Sequence, residues 1–153
     1  MLVAQSIVPM ASPVKGLTLA DLHDTFSVVH NGHAHEAVDI MAPLGTPVHA
    51  VVSGTIRKLF LSEPGGNTIY EFDEAQERSY YYAHLQRYAD GLREGMHVGR
   101  GDIIGYVGST GNADARAPHL HFAAFELGAR REWWKGTPIN PYASLAAALR
   151  NSE

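Results

Sequence analysis

Turn-forming residues cut this chain into pieces too short for helices of ordinary length. Its 153 residues include 15 glycines and 8 prolines, and these fall between short apolar stretches. Pro43, Gly45 and Pro47 close the segment His35–Met41, and Ser53-Gly54 separates residues 48–52 from 55–61. Glu63-Pro64-Gly65-Gly66-Asn67 precedes Thr68-Ile69-Tyr70-Glu71-Phe72, and glycines recur from Gly91 to Gly111. Proline removes a backbone donor and glycine admits tight turns, so helices are confined to the ends of the chain. The intervening pieces carry β-branched and aromatic residues and predict strands, among them residues 26–29, 79–85, 102–107 and 119–127. A short helix is expected from Gly16 to His23, capped by Thr18, and an alanine-rich one from Tyr142 to Arg150, started by Asn140-Pro141. Short strands at regular spacing predict a mostly β, single-domain antiparallel sheet over residues 16–150, with residues 1–15 as an extended lead-in.

Nine histidines stand beside no cysteine. Any transition-metal site must then use nitrogen and oxygen ligands, which excludes iron–sulfur clusters, zinc ribbons and catalytic thiols. A net charge of −4, without any lysine- or arginine-rich run, gives no footprint for nucleic acid. No apolar run approaches the ~20 residues of a membrane span.

Two of the histidines, in Pro118-His119-Leu120-His121-Phe122, share one face of a strand because side chains alternate with period two. Leu120 and Phe122 then anchor the other face. On a second strand His35, Ala37 and Asp39 share a face, placing an imidazole and a carboxylate where they can close on one ion. Either His121 or His119 can complete a three-ligand set with a position left for water. His84 ends a third strand, on the face of Tyr80 and Tyr82, and Tyr82 is a candidate to line the groove or donate a hydrogen bond there. His30, Asn31 and His33 are expected to rim the site without ligating. His35-Glu36-x-x-Asp39 also invites comparison with a zincin helix in which Glu36 is the base, but the β-branched residues and Pro43 favour a strand that turns Glu36 away. Trp133-Trp134 is expected to be either a wall for substrate or a hydrophobic staple to the terminal helix.

Together, His35-x-x-x-Asp39, Tyr82-x-His84-Leu85 and His119-Leu120-His121 resemble the lysostaphin-type zinc metallo-endopeptidases, hydrolases of peptidoglycan peptides. Ala42-Pro43-x-Gly45-Thr46-Pro47-Val48-x-Ala50 and Gly105-x-Val107-Gly108-Ser109-Thr110-Gly111 match as well, and the resemblance extends from about Asp24 to Tyr142. It implies one zinc ion held by His35, Asp39 and His121, with His84 and His119 as catalytic imidazoles. It also implies a barrel-sandwich-like antiparallel sheet around a groove, peptidoglycan peptides as the substrate, and action as a monomer outside the cytoplasmic membrane. Because Met1–Pro9 lacks the character of a secretory signal, the chain is read as trimmed of one. Three positions depart from the family pattern: Ala37 and Ala117 where glycine is common, and Ala123 where glutamate often follows the His-Leu-His-Phe run. None removes a ligand or an imidazole.

Two rival classes are weaker. Degenerate members of the family bind without cutting, but all five site positions are intact here. The run Val98-Gly99-Arg100-Gly101-Asp102 is similar to turns of biotinyl and lipoyl carriers, yet Gly105-Tyr106-Val107-Gly108 supplies no lysine for attachment.

Overall fold

The computed structural model describes residues 7–30 and 32–151. Its strands are β1 (Val29–His30), β2 (His33–Ala34), β3 (Val38–Met41), β4 (Pro47–His49), β5 (Gly54–Ser62), β6 (Gly66–Asp73), β7 (Arg78–Tyr88), β8 (His97–Val98), β9 (Ile103–Val107), β10 (His119–Leu127) and β11 (Gly136–Ile139), followed by helix α1 (Tyr142–Asn151). Nine strands form one unclosed antiparallel sheet in the order β11-β10-β7-β6-β5-β8, with β3 on β10 and with β9 bridging β7 and β4. The small hairpin β1–β2 stands apart from it.

Two strands place the site. One edge of β10 is shared by β3, against residues 119–122, and β11, against residues 124–127. Strand β7 lies along the other edge of β10 up to Ala83, then pairs with β9 from Leu85 onward. His84 is the residue at this change of partner. One face of the sheet is core: Val38, Ile40, Ile69, Tyr80, Tyr82, Leu120 and Phe122 are all almost wholly buried. Met10 and Val14 of the lead-in and Leu145, Ala146 and Leu149 of α1 join the same core. Asn140 Oδ1 accepts the Tyr142 N–H at 3.0 Å and so caps α1.

At the N-terminal end the expected helix is a single 3-10 turn, Leu19–Asp21. Thr18 spends its hydroxyl on the Asp21 carboxylate at 2.9 Å rather than capping the backbone, and Leu22 is already extended. The expected strands over 26–29 and 35–41 are shorter than anticipated, starting at Val29 and Val38. Glu36, with φ 57, breaks the second. Asn31, expected on the rim, lies outside the described residues.

Among the described residues, the core holds one carboxyl group. Glu71 is fully buried, accepts the Tyr82 hydroxyl at 2.8 Å on Oε1, and has no partner for Oε2 among the described residues. Tyr82 in turn accepts the Val51 N–H at 3.0 Å. Burial raises the Glu71 pKa from 4.5 to about 8, against the lowering effect of the Tyr82 bond and with help from Asp73. The folded state therefore binds a proton that the unfolded chain releases, and stability falls as pH rises through this window. Denaturant unfolding between pH 5 and 8 should show the wild type losing stability relative to Glu71→Gln by roughly 1.4 kcal/mol per pH unit. Parallel pH profiles would show that Glu71 ionises freely.

Candidate metal centre and catalytic cleft

Leu120 and Phe122 are completely buried on the core side of β10, which turns His119 and His121 together into a cleft of about 540 Å³. Asp39 lies directly opposite His121 in the β3–β10 register, and Asp39 Oδ1 is 3.3 Å from His121 Nδ1. His35 arrives differently from the strand reading. The left-handed Glu36 makes a turn ahead of β3, and this turn brings His35 Nε2 to 3.2 Å from the same Asp39 oxygen. Ala37 takes no place between the ligands; it is fully buried, and its carbonyl accepts His35 Nδ1 at 2.8 Å.

A carbonyl oxygen only accepts, so a ring nitrogen bonded to one must carry the proton. Three rings are fixed in this way. His35 Nδ1 donates to Ala37 O, His84 Nδ1 to Thr110 O at 2.8 Å, and His119 Nδ1 to Ala117 O at 3.0 Å. Each keeps a lone pair on Nε2. Asp39 Oδ1 is buried and receives no well-aligned hydrogen bond among the described residues, although His35 Nε2 and His121 Nδ1 stand 3.2 and 3.3 Å away. The His35 Nε2 lone pair thus converges with Asp39 Oδ1 and His121 Nδ1 on one point, where a cation would satisfy all three. His35, Asp39 and His121 offer ligand atoms within 4.8 Å of one another, an N2O set suited to zinc with a position left open. Burial tends to raise the Asp39 pKa, but the His121 contact and the His35 and His119 rings outweigh it and hold the carboxyl below its ordinary value.

His84 is buried, with its ring centroid 5.0 Å from that of His119 and 5.7 Å from that of His121. It reaches the cleft because its φ is 62, which breaks the alternation of β7 and turns it to the side of Tyr81 and Ala83. The expected company of Tyr80 and Tyr82 is therefore corrected: both are in the core, and Tyr82 is bonded to Glu71 and Val51. Tyr81 lines the cleft instead, its ring 5.9 Å from that of His121. Desolvation lowers the His84 pKa, opposed by the Thr110 bond and reinforced by His121 and His119. Its ring is held neutral, with Nε2 able to accept a proton.

The supports were not visible as motifs. Thr25 Oγ1 donates to Ala37 O and accepts the Asp39 N–H, both at 3.2 Å, tying the ligand turn to β3. Thr110 is held over His84 because Gly66 and Gly111, at φ 68 and 73, lie against each other. A Cβ on Gly111 would overlap Gly66 N, so no other residue permits this approach. Glu36 is exposed and outside any helix, which removes the zincin arrangement. His33 sits on the exposed hairpin, apart from the metal cluster.

The model of peptidase family M23 matches residues 33–141. L-Ala–D-Glu endopeptidase of Bacillus subtilis is 33% identical over 118 residues, covering 74% of this chain and 35% of that protein. Lysostaphin of Staphylococcus simulans is 41% identical over 93 residues, covering 60% of this chain and 18% of that protein. The chain thus spans well under half the length of these curated relatives. The crystallised catalytic domain of S. simulans lysostaphin superposes with a TM-score of 0.67 at 33% identity, covering 81% of this chain and 88% of that domain.

Zinc measured after dialysis of the purified chain should be about one equivalent, falling to background in Asp39→Ala and His121→Ala and unchanged in Glu36→Gln. Retention of zinc by the Asp39 and His121 variants would dissolve the ligand set.

Proposed function

This chain belongs to peptidase family M23, and from that premise we propose that it is a zinc-dependent endopeptidase hydrolysing peptide bonds of bacterial cell-wall peptidoglycan. The observation that carries the reading is the convergence of His35 Nε2, His121 Nδ1 and the orphaned Asp39 Oδ1 beside two further imidazoles. The names of the relatives, an L-Ala–D-Glu endopeptidase and lysostaphin, support the substrate class.

In this reading His35, Asp39 and His121 hold the ion. Zinc supplies Lewis acidity, polarising a carbonyl oxygen and lowering the pKa of water from ~15.7 to about 7. The chain's own residues manage the protons. No carboxylate base lines the cleft beside Asp39 except Asp114, an exposed residue paired with Arg116. His84 and His119 therefore share the work. Each has Nδ1 tied to a backbone carbonyl, which leaves Nε2 for the cleft, where His119 Nε2 stands 3.7 Å from Asp39 Oδ1. One takes a proton from the attacking water as the carbon–oxygen bond forms. The imidazolium so made then protonates the departing nitrogen as the carbon–nitrogen bond breaks, giving a carboxylate and an amine. The other ring stands 5.0 Å away between centroids, and protonated on Nε2 it would donate to the oxyanion as negative charge develops.

All five side chains come from one chain, so a monomer suffices. Residues 16–150 carry the catalytic residues, packed against Met10 and Val14 of the lead-in, and a peptidoglycan substrate implies action outside the cytoplasmic membrane. No helix among the described residues is long and apolar enough to cross one.

Purified peptidoglycan should be hydrolysed by the chain, with loss on chelation and recovery on adding zinc. His84→Ala and His119→Ala should each keep the metal and lose about 10²–10⁴-fold in turnover, whereas Glu36→Gln should change little. Full activity in either histidine variant would overturn the role assignment. A chain that binds zinc and peptidoglycan without releasing fragments would instead be the silent, hydrolase-activating form of this fold.

A further inference from the structure

The face of the sheet that carries His121 and Asp39 continues beyond the cleft. Ala123, Tyr81, Tyr70 and Lys58 stand side by side across β10, β7, β6 and β5. Tyr81 belongs to both regions: it lines the cleft and begins a chain of rings leading away from it. From His121 the ring contacts run to Tyr81 at 5.9 Å, to Tyr70 at 4.7 Å, to Trp133 at 5.0 Å and to Phe60 at 5.4 Å. Trp134 meets Trp133 at 5.4 Å and is 62% exposed, and Phe60 is 41% exposed. Among the described residues, the ring contacts of the tryptophan pair lead to β5 and β6 rather than to α1. The ring partners of Trp133 lie on this outer face, whereas α1 turns Leu145, Ala146 and Leu149 into the core.

The chemistry of the strip selects a neutral, polyhydroxylated ligand. Its charged member, Lys58, is already paired with Glu94 at 3.3 Å and lies over the Trp133 ring at 5.5 Å. Pyranose rings present flat faces of polarised C–H bonds that stack on aromatic faces. Their hydroxyl and acetamido edges suit the Tyr70 and Tyr81 hydroxyls. Continuity with the cleft supplies the rest: a scissile peptide attached to a saccharide chain brings that chain to the surface beside the cleft.

We propose that Tyr81, Tyr70, Trp133, Phe60 and Trp134 form a saccharide-binding strip that seats the N-acetylated amino-sugar strand of the substrate while its peptide lies in the cleft. The inference rests on the peptidoglycan reading above.

The test uses the zinc-loaded full chain, a β-linked N-acetylglucosamine tetramer, and two substrates with the same cross-linked peptide, one free and one still on its glycan. The tetramer should quench tryptophan fluorescence saturably, and Trp134→Ala and Phe60→Ser, both at exposed positions, should weaken its binding several-fold. The same variants should lower kcat/KM on the glycan-linked substrate about tenfold, mainly through KM, and leave free-peptide turnover unchanged. Absence of quenching, or equal losses on both substrates, overturns the proposal. So does a concentration-dependent dimer abolished by Trp134→Ala, which would give the strip to a second copy of the chain. If the unmodified chain cuts neither substrate, the peptidase reading fails, while tetramer binding still reports on the strip.

Discussion

Asp39 meets His121 because β3 and β10 pair in one register, and that register is enforced by burial. Val38, Ile40, Leu120 and Phe122 are all at most 1% exposed, and each is set off by one position from a residue of the cleft. A slip of one residue would drive Asp39 into the core and lift Val38 or Ile40 out of it. The apolar side of the two strands therefore sets the position of the polar side. Hydrophobic burial, worth about 1.5–3 kcal/mol for each large aliphatic or aromatic side chain, thus fixes Asp39 and His121 opposite each other at the cleft.

Two residues then depart from strand geometry so that the set can close. Glu36 and His84, at φ 57 and 62, each bear a conformational cost on the order of 1–2 kcal/mol. Both are held by their surroundings. The Glu36 N–H donates to Phe26 O and the His84 N–H to Gly65 O, each at 2.8 Å, and the His84 ring is held again by Thr110 O. Strain of this kind gathers at functional sites because ordinary alternation cannot aim neighbouring side chains at one point. Here it aims His35 at the Asp39 carboxylate and His84 at the cleft.

This pattern explains how much was legible in the sequence. Strand β10 runs from His119 to Leu127 as expected from its alternation, and α1 begins where Asn140-Pro141 places it. The five candidate residues were legible as motifs, and the structure brings their side chains together. The route by which they meet was not. Period two put Ala37 between the ligands and Tyr82 beside His84; one left-handed residue in each segment undid both, leaving Ala37 buried and Tyr81 in the cleft. Left-handed backbone at a glutamate and a histidine has no compositional signal, unlike Gly66 or Gly111. The acceptors that orient the rings, the carbonyls of Ala37, Thr110 and Ala117, are backbone atoms that any residue carries. The Trp133 cluster escaped for a related reason, since a loop's landing place depends on tertiary contacts with Tyr70 and Phe60.

The account turns on protons: three imidazoles held with hydrogen on Nδ1, so that Nε2 faces the cleft and, at His35 and His119, the Asp39 carboxylate. Long-range nitrogen–proton correlation spectra of the ¹⁵N-histidine-labelled chain, recorded with and without zinc, read this directly. The metal-free chain at neutral pH should show the Nδ1–H tautomer at His35, His84 and His119. Zinc should move the His35 Nε2 and His121 Nδ1 resonances and leave the tautomers of His84 and His119 as they were. Nε2–H tautomers at His35 and His84, or a zinc response centred on His84 and His119, would contradict it.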